Sequence, residues 1–556
     1  MKRFRTQIIV ILIAGLIIGL LLLSEQTGFR LVSPVPARGG VYAEALVGNL
    51  QRLNPVLDYY NQPDKDVDRL IFSSLIKYDA QGLPSPDIAE SWGISYDGLS
   101  YNFQLRENAF WHDGNPVSAD DVVFTVELMR DSNSVLPEDL KAFWNELEVI
   151  PLGDKAVQFR LTEPFAPVMD YFNFGILPKH LLGGMTYAQI INSEFNLNPV
   201  GSGPYQFDSL IVEEGKINGV ILRAYSDYFG KVPFLQEFVF RYYPNHQAAF
   251  TAYKEGFVQG IGEIPNNLLM SALDFPELSL YSVIKPQVAM LLFNLKNSNV
   301  EFLQVDAVRQ ALLMALDRRG LIDRVLYGQA VIADVPLVPS TWAYYPNNQR
   351  IDQNIQQAAL LLKEAGFILE QENGGIRTKN GKQLTFSLAF PDDEEHNKVA
   401  EAIKSDLSKI GVQIELVKAP YDSLILDYLQ PLTYEAALID INYSGSPDPD
   451  PYPFWDQAQQ VNGQNYSQWE NRIASQYLEE ARILTDLEKR AKLYRNFQVI
   501  FSDELPALPL YYPVYTFGIN QSIQDVRVGS LYDPSDRFWN VQEWFLIAQP
   551  GNGQGE

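Results

Sequence analysis

Two aspartates, Asp448 and Asp450, stand two residues apart in a loop that also contains three prolines at 447–451. A pair of carboxyl groups can act as general acid and base in glycoside hydrolysis. Proline stiffens the backbone, so this spacing places both carboxyl groups along one rigid strip. Three interpretations stay open: a glycosidase-like pair, solvated turn residues, or side chains that contact a bound ligand directly or through water.

Aromatic side chains surround this loop and cluster again upstream of it. Their flat faces can stack on sugars or cover an extended peptide, although such clusters more often belong to a protein core. The candidates near the loop and in the upstream cluster are Tyr443, Tyr452, Phe454, Trp455, Trp342, Tyr344 and Tyr345.

The sequence lacks the motifs of the common enzyme and metal sites. There is no Gly-x-x-x-x-Gly-Lys-Ser/Thr phosphate loop and no Gly-x-Ser-x-Gly elbow. The glycine-rich segment at 201–205 lacks the third glycine of a dinucleotide fingerprint, which favours a tight turn. We therefore expect no catalytic residue, no metal site and no cofactor. None of the four histidines has a second His or a Cys at ligand spacing: His112, His180, His246 and His396.

Hydrophobic patterns predict the elements that position the acidic loop. Residues 384–390 and 412–416 alternate like strands, and residues 399–410 between them have helical spacing. This order predicts a βαβ unit with parallel strands and a right-handed crossover. The apolar segment 436–441 predicts a further buried strand that leads directly into the loop. We expect the loop at the carboxyl edge of an α/β sheet, where ligands bind.

Similar patterns predict elements in the rest of the chain. Residues 305–316 and 355–365 each carry apolar side chains on one helical face, and a glycine follows the second segment. Residues 101–105 alternate as a strand, and Ser118 with Asp121 can cap a helix that starts there. The chain is therefore expected to mix strands and helices from end to end.

Composition limits the class of protein. The 556 residues suffice for several domains, and Lys+Arg 43 against Asp+Glu 68 gives a formal net charge of −25. Such a charge repels phosphate backbones and argues against a nucleic-acid partner. With 46% hydrophobic and 20% charged residues, the chain is neither disordered nor a polytopic membrane protein. The absence of cysteine excludes disulfides, thiolate metal sites and a lipid anchor on cysteine.

The N-terminus carries a targeting signal. Lys2, Arg3 and Arg5 precede an uninterrupted apolar run at residues 8–23, which as a helix would be about 24 Å long. The basic flank stays in the cytoplasm, so the rest of the chain should be extracytoplasmic, in the periplasm or at the cell surface. No small-x-small cleavage site follows, which favours an uncleaved membrane anchor over a removed signal peptide, with 31–38 as a tether.

Ordered blocks of sequence resemble the extracytoplasmic solute-binding proteins of the peptide/nickel type, family 5, which deliver ligands to ABC importers. One block alone is weakly specific, but the ordered set spans nearly the whole exported part. The blocks are 39–42, 53–55, 75–79, Pro-Asp-Ile-Ala-Glu-Ser-Trp at 86–92, 97–101, Phe-Trp-His-Asp-Gly at 110–114, 118–122, 199–205, 308–311, 316–318, 362–366, Asp486, Arg490, Tyr494 and 506–510.

The resemblance implies an α/β, two-lobed, periplasmic-binding-protein-like fold of three domains, preceded by one N-terminal transmembrane or signal helix. Its lobes would close around ligand by hinge bending, and the chain would cross between them near 290–294 and 505–509. The implied parts are 1–30 as signal anchor or signal peptide, 31–38 as tether, 39–60, 190–290 and 508–550 as the discontinuous main domain of lobe I, 61–189 as its extra domain, and 291–507 as lobe II.

The resemblance also implies a function without covalent chemistry. The chain would capture a peptide or another polar organic solute as a monomer and deliver it to ABC permease subunits. Family members that bind free peptides carry, in the loop matching 445–452, an aspartate that pairs with the α-ammonium of the ligand. Here that place is Ser446, whose neutral hydroxyl cannot supply the ion pair. Either Asp448 replaces the charge, or the ligand is an oligosaccharide or another polar solute.

Seven residues are expected to contact the ligand, five from lobe II and two beside the predicted strand starts and hinge. Two other functions stay open. A secreted hydrolase acting on glycans or peptides would need converging carboxyl groups or a nucleophile with a base. A membrane-anchored sensor or adhesion module would use the same fold without transport. The seven residues are Trp342, Tyr344, Tyr443, Ser446 and Asp448, with Tyr42 and Asn294.

Overall fold

The computed structural model describes residues 36–346, 350–369 and 375–547. The expected N-terminal membrane or signal helix lies outside these residues. Among the residues that are described, no helix combines the length and the apolar character that crossing a membrane requires.

Strands form the framework of the described chain. In chain order they are β1 Val41–Val47, β2 Ile76–Tyr78, β3 Pro84–Pro86, β4 Ala89–Ile94, β5 Ser100–Leu105, β6 Glu148–Pro151, β7 Ala156–Arg160, β8 Tyr205–Glu213, β9 Lys216–Ala224, β10 Glu237–Tyr243, β11 Gly260–Ile261, β12 Leu278–Ile284, β13 Gln287–Phe293, β14 Ala330–Ile332, β15 Ile368–Leu369, β16 Arg377–Lys379, β17 Lys382–Gln383, β18 Thr385–Pro391, β19 Gln413–Ala419, β20 Ala436–Asn442, β21 Ala507–Asn520, β22 Ile523–Gln524 and β23 Phe545–Leu546.

Helices pack on these strands and connect them. The α-helices are α1 Gln62–Ile71, α2 Ala119–Arg130, α3 Glu138–Glu146, α4 Lys179–Leu182, α5 Tyr187–Ile191, α6 His246–Lys254, α7 Asn266–Leu273, α8 Asp306–Ala315, α9 Arg318–Arg324, α10 Ile355–Glu364, α11 Glu394–Ser408, α12 Tyr421–Ser423, α13 Tyr452–Trp455, α14 Arg472–Ile483 and α15 Leu487–Glu504. Short 3₁₀ turns lie at Ala166–Phe172, Glu194–Leu197, Ser298–Gln304, Gln457–Gln460, Pro534–Phe538 and Val541–Glu543, and a π turn lies at Leu424–Leu429.

The predicted βαβ unit is confirmed. Strands β18 and β19 are parallel, with Thr385 opposite Gln413, and α11 lies between them in the chain. The predicted strand at 436–441 is β20, which pairs in parallel with β18. The carboxyl ends of β18, β19 and β20 therefore share one edge of the sheet, and the acidic loop begins there.

The other predicted elements are also present. The backbone N–H of Ser118 donates to Asp121 Oδ2 at 2.8 Å, which completes the expected capping box at the start of α2. The segments predicted as amphipathic helices are α8 and α10. Gly366 follows α10 with a φ of +91°, the left-handed conformation that glycine adopts without strain. Strand β5 contains the alternating residues 101–105.

Strand β21 is shared by the two halves of a large sheet. The sheet runs in the order β19-β18-β20-β13-β21-β11-β1-β10-β9-β8, and β12 and β14 also pair with β21. The first part of β21 pairs with β13, and its last part, from Val514 to Asn520, pairs with β12. A separate antiparallel sheet, β4-β5-β7-β6, lies in the N-terminal third of the chain.

The buried hydrophobic clusters divide at the same strand. Clusters formed by residues 42–278 and 515–544 lie on one side, and clusters formed by residues 288–512 lie on the other. The chain passes between these cores before residue 288 and returns after residue 512. The expected crossings near 290–294 and 505–509 fall at the end of β13 and at the start of β21, and the domain division stays a prediction.

Two of the blocks that resemble the family pack against each other and against the end of α1. His112 Nδ1 accepts from the backbone N–H of Gly201 at 3.2 Å, so its Nε2–H donates to the carbonyl of Gly203 at 3.1 Å. The N–H of Gly203 donates to the carbonyl of Ile71 at 2.7 Å. At Gly201, a Cβ atom would collide with that same carbonyl oxygen. This glycine is required by close backbone approach.

Gly201→Ala is expected to lower the free energy of unfolding by about 1–3 kcal/mol, because the backbone of α1 or of residue 201 must shift. Gly93→Ala is the matched control, since a Cβ at Gly93 in β4 would have no neighbour within 4 Å. Urea unfolding should leave the control within about 0.5 kcal/mol of the parent protein. Equal stability of the two variants would contradict this packing.

Candidate ligand-binding site

A cavity of about 440 Å³ lies where the loop after β20 faces the N-terminal part of the chain. Residues 444–447 of that loop form one wall, and the segment from Tyr532 to Asp536 forms another. A smaller cavity of about 270 Å³ shares Ser444 and Tyr532 with it. The larger volume falls in the range of pockets that take small organic ligands, about 300–1,000 Å³.

Asp170 joins the loop to the opposite wall of the cavity. It lies in the 3₁₀ turn at Ala166–Phe172, and its Oδ2 atom accepts from the hydroxyl of Ser446 and from the N–H of Asp448, the latter at 2.6 Å. Its Oδ1 atom accepts from the hydroxyl of Tyr78 at 2.8 Å. One carboxyl group therefore holds residues that are far apart in the sequence.

The Asp170 carboxyl retains its proton more readily than an ordinary aspartate. Burial and the nearby Asp448 carboxylate raise its pKa to about 7, although the hydrogen bonds from Ser446, Asp448 and Tyr78 favour the charged form. A proton on Oδ2 would be donated to the hydroxyl of Ser446. That hydroxyl lies 2.8 Å from the carbonyl of Asp448 and can donate to it in turn. The contact is therefore sensitive to protonation near neutral pH.

Asp448 forms a buried ion pair below the cavity wall. Its Oδ2 atom lies 2.5 Å from Nη1 of Arg490, and the two side chains are 5% and 4% exposed. Arg490, in α15, also donates to the carbonyl of Ala481 at 2.7 Å and lies over the ring of Trp342, 4.9 Å from its centroid. The Asp448 carboxylate thus ties the loop to α15.

Asp450 is paired separately, with Arg482 of α14 at 3.1 Å. Burial raises the pKa of Asp450 to about 6, against the lowering effect of Arg482. Neither Asp448 nor Asp450 lines the described cavities, and each has its own arginine. This arrangement does not favour the hydrolase alternative, which needs two carboxyl groups facing one substrate bond.

The predicted aromatic site residues pack against other rings and against the backbone of the second core region. Trp342 lies 5.7 Å from the ring of Tyr494, and Tyr344 lies edge-on to Tyr512 at 6.5 Å. The hydroxyl of Tyr443 donates to the carbonyl of Pro336 at 3.0 Å. Trp342 therefore lies near Asp448, through Arg490, and Tyr443 precedes Ser446 by three residues in the chain. Of the five candidates from lobe II, only Ser446 lines either of the two cavities described above.

Tyr42 and Asn294 lie elsewhere. Tyr42 is fully buried in β1, where its hydroxyl donates to Glu44 Oε2 at 2.6 Å. The amide of Asn294 donates to the carbonyls of Leu432 and Tyr434 at 3.0 and 3.1 Å. Neither lines a described cavity. Ligand contact by any of the seven residues stays a prediction.

The four histidines are held apart by separate partners. In the part of the chain that the structure describes, no three His, Asp or Glu side chains are grouped so that they could hold a metal ion. The partners are Gly201 and Gly203 for His112, Asp113 for His180, Glu263 for His246, and Asp393 for His396.

Sequence reasoning missed the acidic lining of the cavity. Asp58, Asp68, Asp170, Asp533 and Asp536 all line it, and none was a candidate. One sequence signal for this lining was present, because α1 carries aspartates at 64, 66 and 68. Buried aspartates need hydrogen-bond donors or cationic partners, so this spacing indicates a polar site beside the helix.

One of these α1 charges is satisfied by the C-terminal segment. Arg537 is fully buried and donates to Glu44 Oε1 at 2.7 Å and to Asp66 Oδ2 at 2.8 Å. This contact links β1, α1 and the 3₁₀ turn at Pro534–Phe538, and it holds that turn against the cavity. The segment that closes the cavity is therefore positioned by a charge network at the opposite end of the sequence.

The described fold matches known proteins along nearly its whole length. The family model of "Bacterial extracellular solute-binding proteins, family 5 Middle" matches residues 84–464. The chain belongs to this family. Family 5 consists of solute-binding proteins and not of enzymes.

Curated relatives and a solved structure agree with this family 5 assignment. The oligopeptide-binding protein AppA of Bacillus subtilis is 27% identical over 528 residues, covering 92% of each chain. The dipeptide-binding protein of Escherichia coli is 27% identical over 499 residues, covering 79% of this chain and 85% of that protein. The structure of AppA in complex with a nonapeptide superposes with a TM-score of 0.66 at 25% identity, covering 92% of this chain and all of the other. The family 5 chain therefore has the expected two-lobed α/β fold.

Asp448→Asn is expected to destabilise this family 5 protein by about 2–4 kcal/mol, because it leaves the buried Arg490 guanidinium without a counter-charge. Asp427→Asn is the control, since Asp427 is exposed in the same lobe. Urea unfolding followed by tryptophan fluorescence measures both. A loss in Asp448→Asn no larger than in the control would show that the pair contributes little.

Asp170 should make stability depend on pH with a defined sign. Because its folded pKa is raised to about 7, its stabilising contribution is full below the unfolded pKa of about 3.9 and is lost as pH rises through about 7. The parent protein should therefore lose more stability between about pH 5 and pH 8 than Asp170→Asn, which cannot titrate. Urea unfolding across this range gives the difference, and Asp274→Asn, an exposed site, should follow the parent. A flat difference would contradict the assignment.

Proposed function

We propose that this chain is the extracytoplasmic substrate-binding component of an ABC import system, which captures a peptide or another polar organic solute and delivers it unaltered to permease subunits. The observation that carries the proposal is the cavity at the junction of loop 444–447 and residues 532–536, in a chain of family 5. The names of its relatives, an oligopeptide-binding and a dipeptide-binding protein, support a peptide ligand.

The geometry around Ser446 supports a free peptide over an oligosaccharide. The carboxyl group that Ser446 cannot supply is contributed by Asp170, which contacts the Ser446 hydroxyl and lines the cavity. An incoming ammonium group would stabilise the charged form of this carboxyl and pair with it. Asp448 does not pair with the ligand ammonium, because its carboxylate already forms an ion pair with Arg490.

We expect the wider arrangement of the chain to have the domain division that the sequence predicts. Residues 39–60, 190–290 and 508–550 would form the main domain of lobe I, 61–189 its extra domain, and 291–507 lobe II. The lobes would close around the ligand, which stabilises the closed state by its differential affinity for it. The N-terminal helix would anchor this monomeric protein to the cytoplasmic membrane, and Trp342, Tyr344 and Tyr443 would support the ligand-facing loop.

Closure can be tested by the distance between two spin labels. The chain has no cysteine, so Tyr96→Cys and Leu426→Cys carry the only labels. Both sites are exposed: Tyr96 lies close in the chain to Trp92, which packs against the first core, and Leu426 lies close to Leu424 of the second core. A mixture of two- to nine-residue peptides should shorten and narrow the distance distribution, because a ligand that touches both lobes favours the closed state.

The control pair is Tyr96→Cys with Leu181→Cys, and its distances should not change. Both sites are exposed and lie next to elements of the first core, since Leu182 belongs to it and Trp92 packs against it. Calorimetry on the same samples shows whether peptides bind. Peptides that bind without any change in the interlobe distances would contradict closure, and no binding of any peptide would contradict the proposed ligand class.

A further inference from the structure

One loop joins the two hydrophobic core regions across the cavity by hydrogen bonds. Residues 444–448 follow β20 and Tyr443, and that tyrosine belongs to the second core region. The partners of this loop are Asp170 and Tyr532, which lie next in the chain to residues that pack in the first core region. The contacts of the loop therefore limit how far the two core regions can separate.

Tyr532 contacts the second core region through two groups. Its carbonyl accepts from the N–H of Gly445 at 2.9 Å, and its hydroxyl donates to the carbonyl of Ser340 at 2.9 Å. Ser340 lies in the chain between residues of the second core. Tyr532 is only 4% exposed, and a Cβ atom at Gly82 would collide with its hydroxyl. The ring is thus held between the turn after β2 and the second core region.

Asp170 holds the following residues of the same loop. Its Oδ2 atom accepts from the hydroxyl of Ser446 and from the N–H of Asp448. The guanidinium of Arg482 in α14 lies over the ring of Phe165, 5.0 Å from its centroid, and adds a further contact between the core regions. All these groups belong to the protein, so their contacts stabilise the closed arrangement without any contribution from a ligand.

We propose that these contacts form a clasp that holds part of the ligand-free molecules closed. This inference goes beyond the proposed function, because it concerns the protein before a ligand binds. One neutral hydrogen bond changes an equilibrium by about 2- to 10-fold. A few such bonds therefore leave both the open and the closed form populated. The clasp consists of the contacts of Tyr532 with Gly445 and Ser340, and of Asp170 with Ser446 and Asp448.

The clasp also affects how a ligand is held. In the clasp, the carboxyl group of Asp170 accepts from Ser446 and Asp448, whereas it would pair with the ammonium of a bound peptide. Ligand binding would therefore exchange the Asp170 part of the clasp and keep the Tyr532 part. The closed free protein and the closed complex would share the contacts of Tyr532 and differ at Asp170.

The test uses the full chain with spin labels at Tyr96→Cys and Leu426→Cys and no added peptide. Unfolding in urea followed by refolding removes bound solutes, and tryptophan fluorescence checks that the native fold has returned. The distance distribution of the parent protein should contain a short, closed component beside a longer, open one. A parent distribution without the short component would overturn the clasp.

Tyr532→Phe weakens the clasp with the smallest change in shape. It removes the hydroxyl that donates to the carbonyl of Ser340, and this carbonyl keeps a donor in the hydroxyl of Ser530 at 3.3 Å. The ratio of long to short distances should rise about 2- to 10-fold in this variant. It should rise further in a double variant with Ser446→Ala. If the double variant does not fold, Tyr532→Phe alone decides.

Tyr434→Phe is the matched control, because the Tyr434 hydroxyl donates to the carbonyl of Tyr466 at 2.6 Å inside the second core region. Its distance distribution should equal that of the parent. Unchanged distances in the clasp variants, or equal lengthening in the control, would overturn the clasp. If peptides still shortened the parent distances, the proposed function would stand. Longer distances in the clasp variants without binding of any peptide would support the clasp and overturn the peptide ligand.

Discussion

The ligand cavity depends on the two salt bridges that the buried Arg537 guanidinium forms with Glu44 and with Asp66. A charge removed from water in this way persists only when it is fully paired. Because its partners lie in β1 and α1, the C-terminal segment must fold back across the start of the chain. That return places Asp533 beside Lys65 and Asp536 beside Arg69. These two basic residues of the cavity therefore form their ion pairs with the C-terminal segment.

Local pattern was sufficient to predict the elements that lead into the acidic loop and several others. The βαβ unit of β18, α11 and β19 follows from alternation and helical spacing, which each segment carries by itself. The sharing of β21 could not be predicted in this way, because its apolar residues do not reveal which strands they pair with. The points at which the chain passes between the two core regions depend on that pairing.

The candidate site was predicted only where it follows a predicted strand. The loop with Ser446 was found because it extends from β20 at the sheet edge where ligands bind. Asp58, Asp68 and Asp170 were missed, since an aspartate that is buried by distant segments looks like any surface aspartate in the sequence. The aromatic candidates illustrate the opposite error. Tyr42 was chosen as a ligand contact but is a fully buried core residue, and residue type alone does not distinguish a core ring from one that stacks on a ligand.

The sharing of β21 also constrains how the molecule is made. This strand contributes Tyr511 and Tyr512 to one hydrophobic core and Tyr515 and Phe517 to the other. A ribosome adds these residues after those of every other described strand of the large sheet. Neither half of the large sheet can be completed before β21 has been made. The nascent polypeptide therefore cannot fold fully during most of its synthesis, which suits export through a channel that admits only unfolded chains.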